Sequence, residues 1–565
     1  MLESAPTLTL QEKSSSMSRS IRAPFRASAL VALVATAGLL AGCAATPAGE
    51  PVAQTITYAI EGANLSNGKM DPHSSQLDVS ALVGRYTLDS LVAQDADGTF
   101  VPWLAKSWTI SEDGLHYTFV LRDDVTFTDG EPFNAEAVKA NFEHIIAPET
   151  ASAQAASMLG YSTDGGAYVD TTVDDEFTVT VNFSEPYAPF LQAASTSLLG
   201  FYSPKVLADK ADQLATGGPG ITVGTGPFVL SEYTPDQELV YTANPDYNWG
   251  PANAKHTGPT DLTKLTIRIL PETSVRTGAL TSGDVQVAGN ITPSTVSQIG
   301  DGFTVNSVEL PGIPYSLYLN EKNGVFADQK VRQAFSLAID IDSAVKSIFF
   351  GQYPRAWSIL GPTTPDSYDK SLEGSWPFDA AKANTLLDEA GWTTRDSDGY
   401  RTKNGERLSA RWIAWTPVPD DRASLADVIQ SDLKAVGFEV KREVLEPAAY
   451  NEQYGPKTFD LTDWGFSGVD ADALRSHLHT GGFQNASQVS DKSLDTQLED
   501  AVATSDQAER AALYTQVQQW NAEHVAIVPL YVPSMITASS TTVKGLTFDL
   551  YGRPLFYGAS VGAAE

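Results

Sequence analysis

Three kinds of residue in this 565-residue chain have types suited to chemistry: one cysteine, Cys43; seven histidines, of which His477 and His479 stand two apart; and a large surplus of carboxylates. A lone cysteine cannot form an internal disulfide, so stability must come from core burial. If residues 477–479 were a strand, both imidazoles would face one metal, but two ligands do not make a site, and polar surface histidines are the plainer reading. Gly465-Phe466-Ser467-Gly468 lacks the glycine spacing of a nucleophile elbow, and no His-Glu-x-x-His zinc motif occurs. The carboxylates are too numerous to single out a glycosidase pair. With 37 Lys and Arg against 69 Asp and Glu, the net charge is -32, which repels phosphate backbones and argues against a nucleic-acid partner. The expectation is a binding protein rather than an enzyme, with no cofactor; an exported hydrolase is the remote alternative.

The N-terminal residues read as an address. Arg19, Arg22 and Arg26 precede an uncharged apolar run over 27–40. The run is too short for a stable membrane span but suits the core of a signal peptide. It ends Leu40-Ala41-Gly42-Cys43, which resembles the lipobox of bacterial lipoproteins. That resemblance implies cleavage before Cys43 and a lipid on its sulfur, which leaves no thiol nucleophile; the competing reading is a buried cysteine in a core helix. The expectation is a signal peptide over 1–42, with Met17 as the true start because the proportions are ordinary from there. A flexible tether follows over 43–54, and the lipid holds the protein at the outer face of the cell membrane.

Those residues need elements to position them, and a content of 42% hydrophobic and 10% aromatic residues supplies a sizeable packed interior. Thr55 to Ile60 alternates as a strand, and 82–92 reads as a helix. From 101 to 146 the order is strand, Asp113-Gly114 turn, strand, Asp129-Gly130 turn, then a helix capped by Asn134 with Val138, Phe142 and Ile145 on one face. Asp328 is a second cap, before an apolar stripe running from Val331 to Ile348. Helix, strand and glycine alternate from Asp379 through Gly391, 410–416, Gly437 and 459–465, which argues for an α/β lobe.

Residues 115–146 (LHYTFVLRDDVTFTDGEPFNAEAVKANFEHII) resemble the signature stretch of the family 5 extracellular solute-binding proteins, the peptide- and nickel-binding components of ABC importers. Phe127 stands where the family more often has Trp. Residues 223–228 (VGTGPF), 244–247 (NPDY) and 331–340 (VRQAFSLAID) are similar to further family motifs, in the same order. The resemblance implies an α/β, two-lobed fold closing on its ligand about a hinge, enlarged by an extra subdomain. It maps as 55–90, 218–308 and 528–565 for the core of the first lobe, 91–217 for the extra subdomain, and 309–527 for the second lobe.

It also implies a small-molecule ligand and ABC permease partners. The first choice of ligand is a peptide; an oligosaccharide, for which the aromatics near 410–470 suit stacking, and a metal chelate remain open. In peptide-binding relatives a Gly-Trp pair precedes an Asp that meets the peptide's ammonium. Here Gly465-Phe466 aligns with that pair, Val469 falls at the carboxylate position, and Asp470 lies one residue on. On a strand that slip reverses the face; on a loop it need not. Candidate ligand contacts are therefore Asp470; Trp415, Trp464 and Phe466, with core packing as the competing reading; Tyr318 and Asn320 at the entrance to the second lobe; and Glu61 and Asn64 after the first strand.

Overall fold

The computed structural model describes residues 53–62, 64–162 and 166–563. Cys43, the segment 1–42 and most of the 43–54 tether lie outside the described residues. Among those described, no helix is long and apolar enough to cross a membrane, and three large sheets carry the fold.

The first sheet has seven strands. Thr55–Ile60 sits inside it, parallel to Lys264–Ile269 on one side and to Val287–Ala288 on the other. Its alternation serves two cores: Ile56, Tyr58 and Ile60 join Tyr241, Leu265 and Ile267, while Ala59 faces Leu280, Ala288 and Ile536. A strand buried on both faces is the usual state of a parallel strand. Glu238–Ala243 and Phe228–Thr234 extend one edge; Ser534–Ser540 and Phe303–Glu309 extend the other.

The second sheet, four antiparallel strands within 105–183, belongs to the extra subdomain. The Asp113-Gly114 turn joins Ala105–Ile110 to His116–Leu121, whose Tyr117, Phe119 and Leu121 point into the core. Asn134 accepts from the Ala137 amide at 3.0 Å and starts the helix Ala135–Ile146, which lays Val138, Phe142 and Ile145 on the same core.

The third sheet has five strands in the order Glu439–Leu445, Ser409–Trp415, Leu461–Ser467, Gly312–Leu319, Ile527–Tyr531. Helices cover both faces. Leu317, Trp412 and Leu461 meet Phe335, Val345, Leu387 and Ile429 on one face; Tyr318, Ile413 and Ile527 meet Leu474, Leu498, Tyr514 and Val517 on the other.

Among the described residues, the chain passes between the seven- and five-stranded sheets twice, over 310–311 and over 532–533. The passages lie side by side, since the Leu310 amide donates to the Pro533 carbonyl at 2.8 Å. Gly312 has φ +96° there, and a Cβ on it would run into the backbone of Phe466 and Gly468. Only glycine tolerates both conditions.

Three sequence expectations change. Strand Ile527–Tyr531 pairs with Gly312–Leu319, so the chain returns to the first lobe after 531, not at 528. The helix expected over 82–92 runs only Asp78–Gly84. Beyond it the carbonyls of Tyr86 and Thr87 accept from the amides of Phe228 and Gly226, which diverts the backbone from helical bonding. The stripe from Val331 to Ile348 is two helices, Gln329–Leu337 and Ile341–Ile348, because Asp340 caps the second.

Candidate functional site

Strand direction places the site. Thr55–Ile60, Lys264–Ile269 and Val287–Ala288 run parallel to Phe303–Glu309, the strand that leads to the first crossing, because all oppose or flank Ser534–Ser540. Their carboxyl ends therefore face the five-stranded sheet. In that sheet, Ser409–Trp415, Glu439–Leu445 and Leu461–Ser467 end on the side where Gly312 enters and Tyr531 leaves. Ligands of α/β sheets bind beyond such carboxyl ends.

A single arginine holds the edge of the first lobe. Arg276, 1% exposed, donates to the carbonyls of Leu270 at 2.6 Å, Pro271 at 2.7 Å, Gly289 at 2.9 Å and Asn290 at 2.8 Å, and to Thr273 Oγ1 at 3.0 Å. It fixes the loops after two strands to the start of helix Thr273–Ser282.

Between the extra subdomain and the five-stranded lobe lies a cavity of about 410 Å³, within the range of roughly 300–1,000 Å³ typical of small-molecule sites. The subdomain contributes Gln94, Phe100, Trp108, Tyr117 and Gln192; the other lobe contributes Asp366, Ser367, Val469, Asp470, Asp506 and Arg510. The walls already touch. The Ala188 amide donates to the Val502 carbonyl at 2.9 Å, and Gln507 Nε2 to the Gly98 carbonyl at 3.3 Å. Beside the cavity, the Val469 amide donates to Tyr551 Oη at 3.4 Å.

Asp470 lines this cavity, on the loop beyond strand Leu461–Ser467, but its carboxylate is already held. Arg510 Nη1 and Nη2 grip it bidentately at 2.8 and 2.6 Å, with both side chains about 15% exposed. Arg510 also donates to the Ala501 carbonyl at 3.0 Å and to Tyr514 Oη at 3.2 Å. Burial opposes the Arg510 charge, but Asp470, Tyr514 and Asp472 outweigh it and hold the guanidinium above its ordinary range. Val469, at the position of the family's carboxylate, is buried.

Asp366 differs. It is an exposed carboxylate of the second lobe, and it abuts Gly98, whose φ of +90° leaves no room for a Cβ beside that carboxylate. Partial burial first, and then the charge of Asp97 on the opposite wall, push its pKa up.

The other sequence candidates divide. Asn320 is fully buried: Nδ2 donates to the carbonyls of Lys457 and Phe459, and Oδ1 accepts from the Lys322 amide and Gln488 Nε2. Tyr318 is also fully buried, packed 4.6 Å from the Trp464 ring and 5.9 Å from His477. Both expectations of cleft contact are corrected, because strand Gly312–Leu319 runs away from the cleft and its far end is core. Trp464 and Phe466 pack against the same helical layer, Phe466 on His477 at 5.7 Å. Trp415 stands at a carboxyl end, 57% exposed, with its ring 5.7 Å from Tyr450. Glu61 and Asn64 are exposed after the first strand. None of these seven lines the cavity. His477 and His479 do not converge as on a strand: His477 ends a helix with Nδ1 on the Ala473 carbonyl, and His479 Nε2 meets Glu499 at 3.0 Å.

Sequence reasoning missed Asp366, Trp108, Gln192 and Arg510. Arg510 sits in an ordinary helical stretch, and no local signal ties it to a partner 40 residues earlier.

Two lobes joined by paired crossings, with a lined cavity between them, define a solute-binding protein. The chain belongs to the bacterial extracellular solute-binding proteins, family 5, whose middle region matches residues 99–485. It is 27% identical over 499 residues to the nickel-binding periplasmic protein of Escherichia coli K12, covering 85% of this chain and 90% of that protein. It is 28% identical to di/tripeptide-binding protein 2 of Pseudomonas aeruginosa UCBPP-PA14, covering 79% and 84%. Among solved structures it is similar to NikA from Brucella suis in complex with Fe(III)-EDTA, with a TM-score of 0.76, 25% identity, and 90% and 99% of the two chains covered. The oligopeptide-binding protein AppA from Bacillus subtilis, at 21% identity and TM-score 0.69 with 90% and 100% covered, shares the fold.

Proposed function

We propose that this protein captures a small peptide in the cavity between its lobes, leaves it chemically unchanged, and delivers it to the permease of an ABC importer. The observation that carries this is the cavity of about 410 Å³ walled by two lobes that, among the described residues, two adjacent strand passages join. Such a hinge lets the lobes part and shut, and shutting requires a ligand that contacts both walls. A relative named for di/tripeptides supports the peptide class, and one named for nickel keeps a metal chelate as the second reading. The exposed Trp415 at a carboxyl edge favours an oligosaccharide as the third, by ring stacking. The segment ending in Cys43 carries the remainder of the proposal: export, cleavage, and a lipid anchor at the outer face of the membrane.

Mass spectrometry of the solute that copurifies from the native host tests the ligand class. In thermal melts, peptides of two to six residues should raise the melting temperature by mass action. A shift with oligosaccharides or metal chelates but none with peptides would reject the peptide. Cys43→Ala should move the protein from the membrane fraction into the medium; retention at the membrane would reject the anchor.

A further inference from the structure

The charges around the cavity do not cancel. Among the described residues lining it, the charged ones are Asp366, Asp470, Asp506 and Arg510. Asp470 and Arg510 neutralise each other through the bidentate pair, and the remaining Arg510 donors are largely occupied by Ala501 and Tyr514. That guanidinium has little left to offer a ligand carboxylate. Asp506 caps helix Gln507–His524 through the Glu509 amide at 3.0 Å. Among the described residues neither Asp506 nor Asp366 forms an ion pair, and Asp97 adds a further negative charge from the facing hairpin. The floor is neutral, and the rim is anionic from both walls.

From this juxtaposition we propose that the site selects solutes carrying a cationic group, held in the cavity at Asp366 and Asp506 of one lobe, beside the Asp97 hairpin of the other. The partly exposed aromatic side chains Phe100 and Trp108 receive the remainder of the ligand. The inference rests on the interlobe cavity being the capture site, as proposed above, and adds the charge class of the solute.

The same arrangement explains how binding drives closure. Asp97 and Asp366 belong to opposite walls, so shutting the empty cleft brings like charges together. A cation in the cavity beside them offsets that repulsion, and it meets both carboxylates in the closed form alone, which is the differential affinity that closure needs. A carboxylate in the same place adds to the repulsion. An anionic solute is therefore refused by the closing step as well as by the site.

Isothermal titration on the purified protein tests this with four probes at low salt: Ala-Lys-Ala amide, its neutral counterpart acetyl-Ala-Gln-Ala amide, acidic acetyl-Ala-Glu-Ala, and spermidine as a cation that is not a peptide. The cationic peptide should bind at least roughly tenfold more tightly than the neutral one, the scale of one charge-assisted hydrogen bond, and the acidic peptide should bind more weakly than both. Asp366→Asn and Asp506→Asn should each weaken the cationic probes by about tenfold and so narrow the margin between the cationic and the neutral peptide. Binding of spermidine without any peptide would uphold the charge selection and reject the peptide reading. Neutral or acidic peptides binding as tightly as the cationic one would reject the charge selection and leave the peptide reading standing. Absence of binding by all four probes, or discrimination that survives both substitutions, overturns the proposal.

Discussion

Replacing Asp470 by Asn separates a neutralised cavity floor from a merely polar one. The substitution keeps the side-chain shape but removes the charge that two Arg510 nitrogens grip at 2.6 and 2.8 Å. Breaking one side of a fully buried ion pair costs about 3–5 kcal/mol, because the remaining charge loses both its partner and its water. Here both side chains are about 15% exposed, and Arg510 keeps its bonds to Ala501 and Tyr514. Water from the cavity also reaches the freed guanidinium, so the expected loss falls to about 2–3 kcal/mol. Urea unfolding followed by tryptophan fluorescence reads that loss as a lower midpoint at an unchanged slope. Adding Arg510→Met to Asp470→Asn should recover most of it, since apolar replacement of a buried pair is often neutral. The single variant should also admit acidic peptides more readily, because an unpaired cation then faces the solute. An unfolding free energy within about 0.5 kcal/mol of the parent, the margin of an ordinary surface substitution, together with unchanged peptide preference, would refute the account of the floor.

Acid should destabilise the fold through enclosed imidazoles, of which His73 and His477 are fully buried and His144, 5.5 Å from the His73 ring, is lowered in the same direction by burial. Burial lowers His73 and His477 to about 4, so the unfolded chain takes up their protons first, near 6.5; stability is full above that value and lost as pH falls toward 4, by about 2 kcal/mol per imidazole at pH 5. Asp89, pushed up to about 7 by burial, acts in the opposite sense over this window, so the informative quantity is the difference from His73→Gln and His477→Gln; urea midpoints whose pH slope does not change in either variant would contradict the burial argument. Arg276→Met should lower stability by about 3 kcal/mol, since it strands the four carbonyls that Arg276 holds. Arg276→Lys should not restore it, because an ammonium lacks the fork, and full recovery by lysine would show that only charge matters. Gly312→Ala should cost more than about 2 kcal/mol, from the left-handed backbone and the collision with Phe466; a neutral result in thermal melts would mean that the passage is loose.

Local signals in the sequence carried far. Asn134 and Asp328 cap the helices they were read to cap, accepting from Ala137 and Lys330. Gly391 and Gly437 adopt the left-handed turns expected at helix ends, and the family motifs lie in a chain that the family matches over 99–485. Expectations failed where distant residues decide. Asn320 follows a strand and reads as a loop contact, but its amide meets carbonyls near 457–459 brought in by another strand. Tyr318 was placed at the entrance to the second lobe, yet which end of its strand faces the cleft depends on a sheet order that joins 312–319 to 461–467 and 527–531. Asp470 was singled out because it lies one residue past the family's carboxylate position, and its sequence neighbours say nothing of the Arg510 that holds it. Asp366 went unnoticed because an Asp after a Pro is an ordinary turn signal.

Ser534–Ser540 lies between Phe303–Glu309 and Val287–Ala288, so it fills a slot inside the first lobe's sheet rather than adding to its rim. A chain emerging N-terminus first, from the ribosome or through a membrane, presents every other strand of that sheet more than two hundred residues earlier. Until residue 540 arrives, Val287–Ala288 and Phe303–Glu309 have open edges with no strand between them. The five-stranded lobe, by contrast, is one continuous insertion over 312–531 and has all its strands before then. The lobe that begins first in the chain is therefore the last to finish assembling, and during that interval its unpaired edges are the part of the nascent protein most exposed to wrong partners.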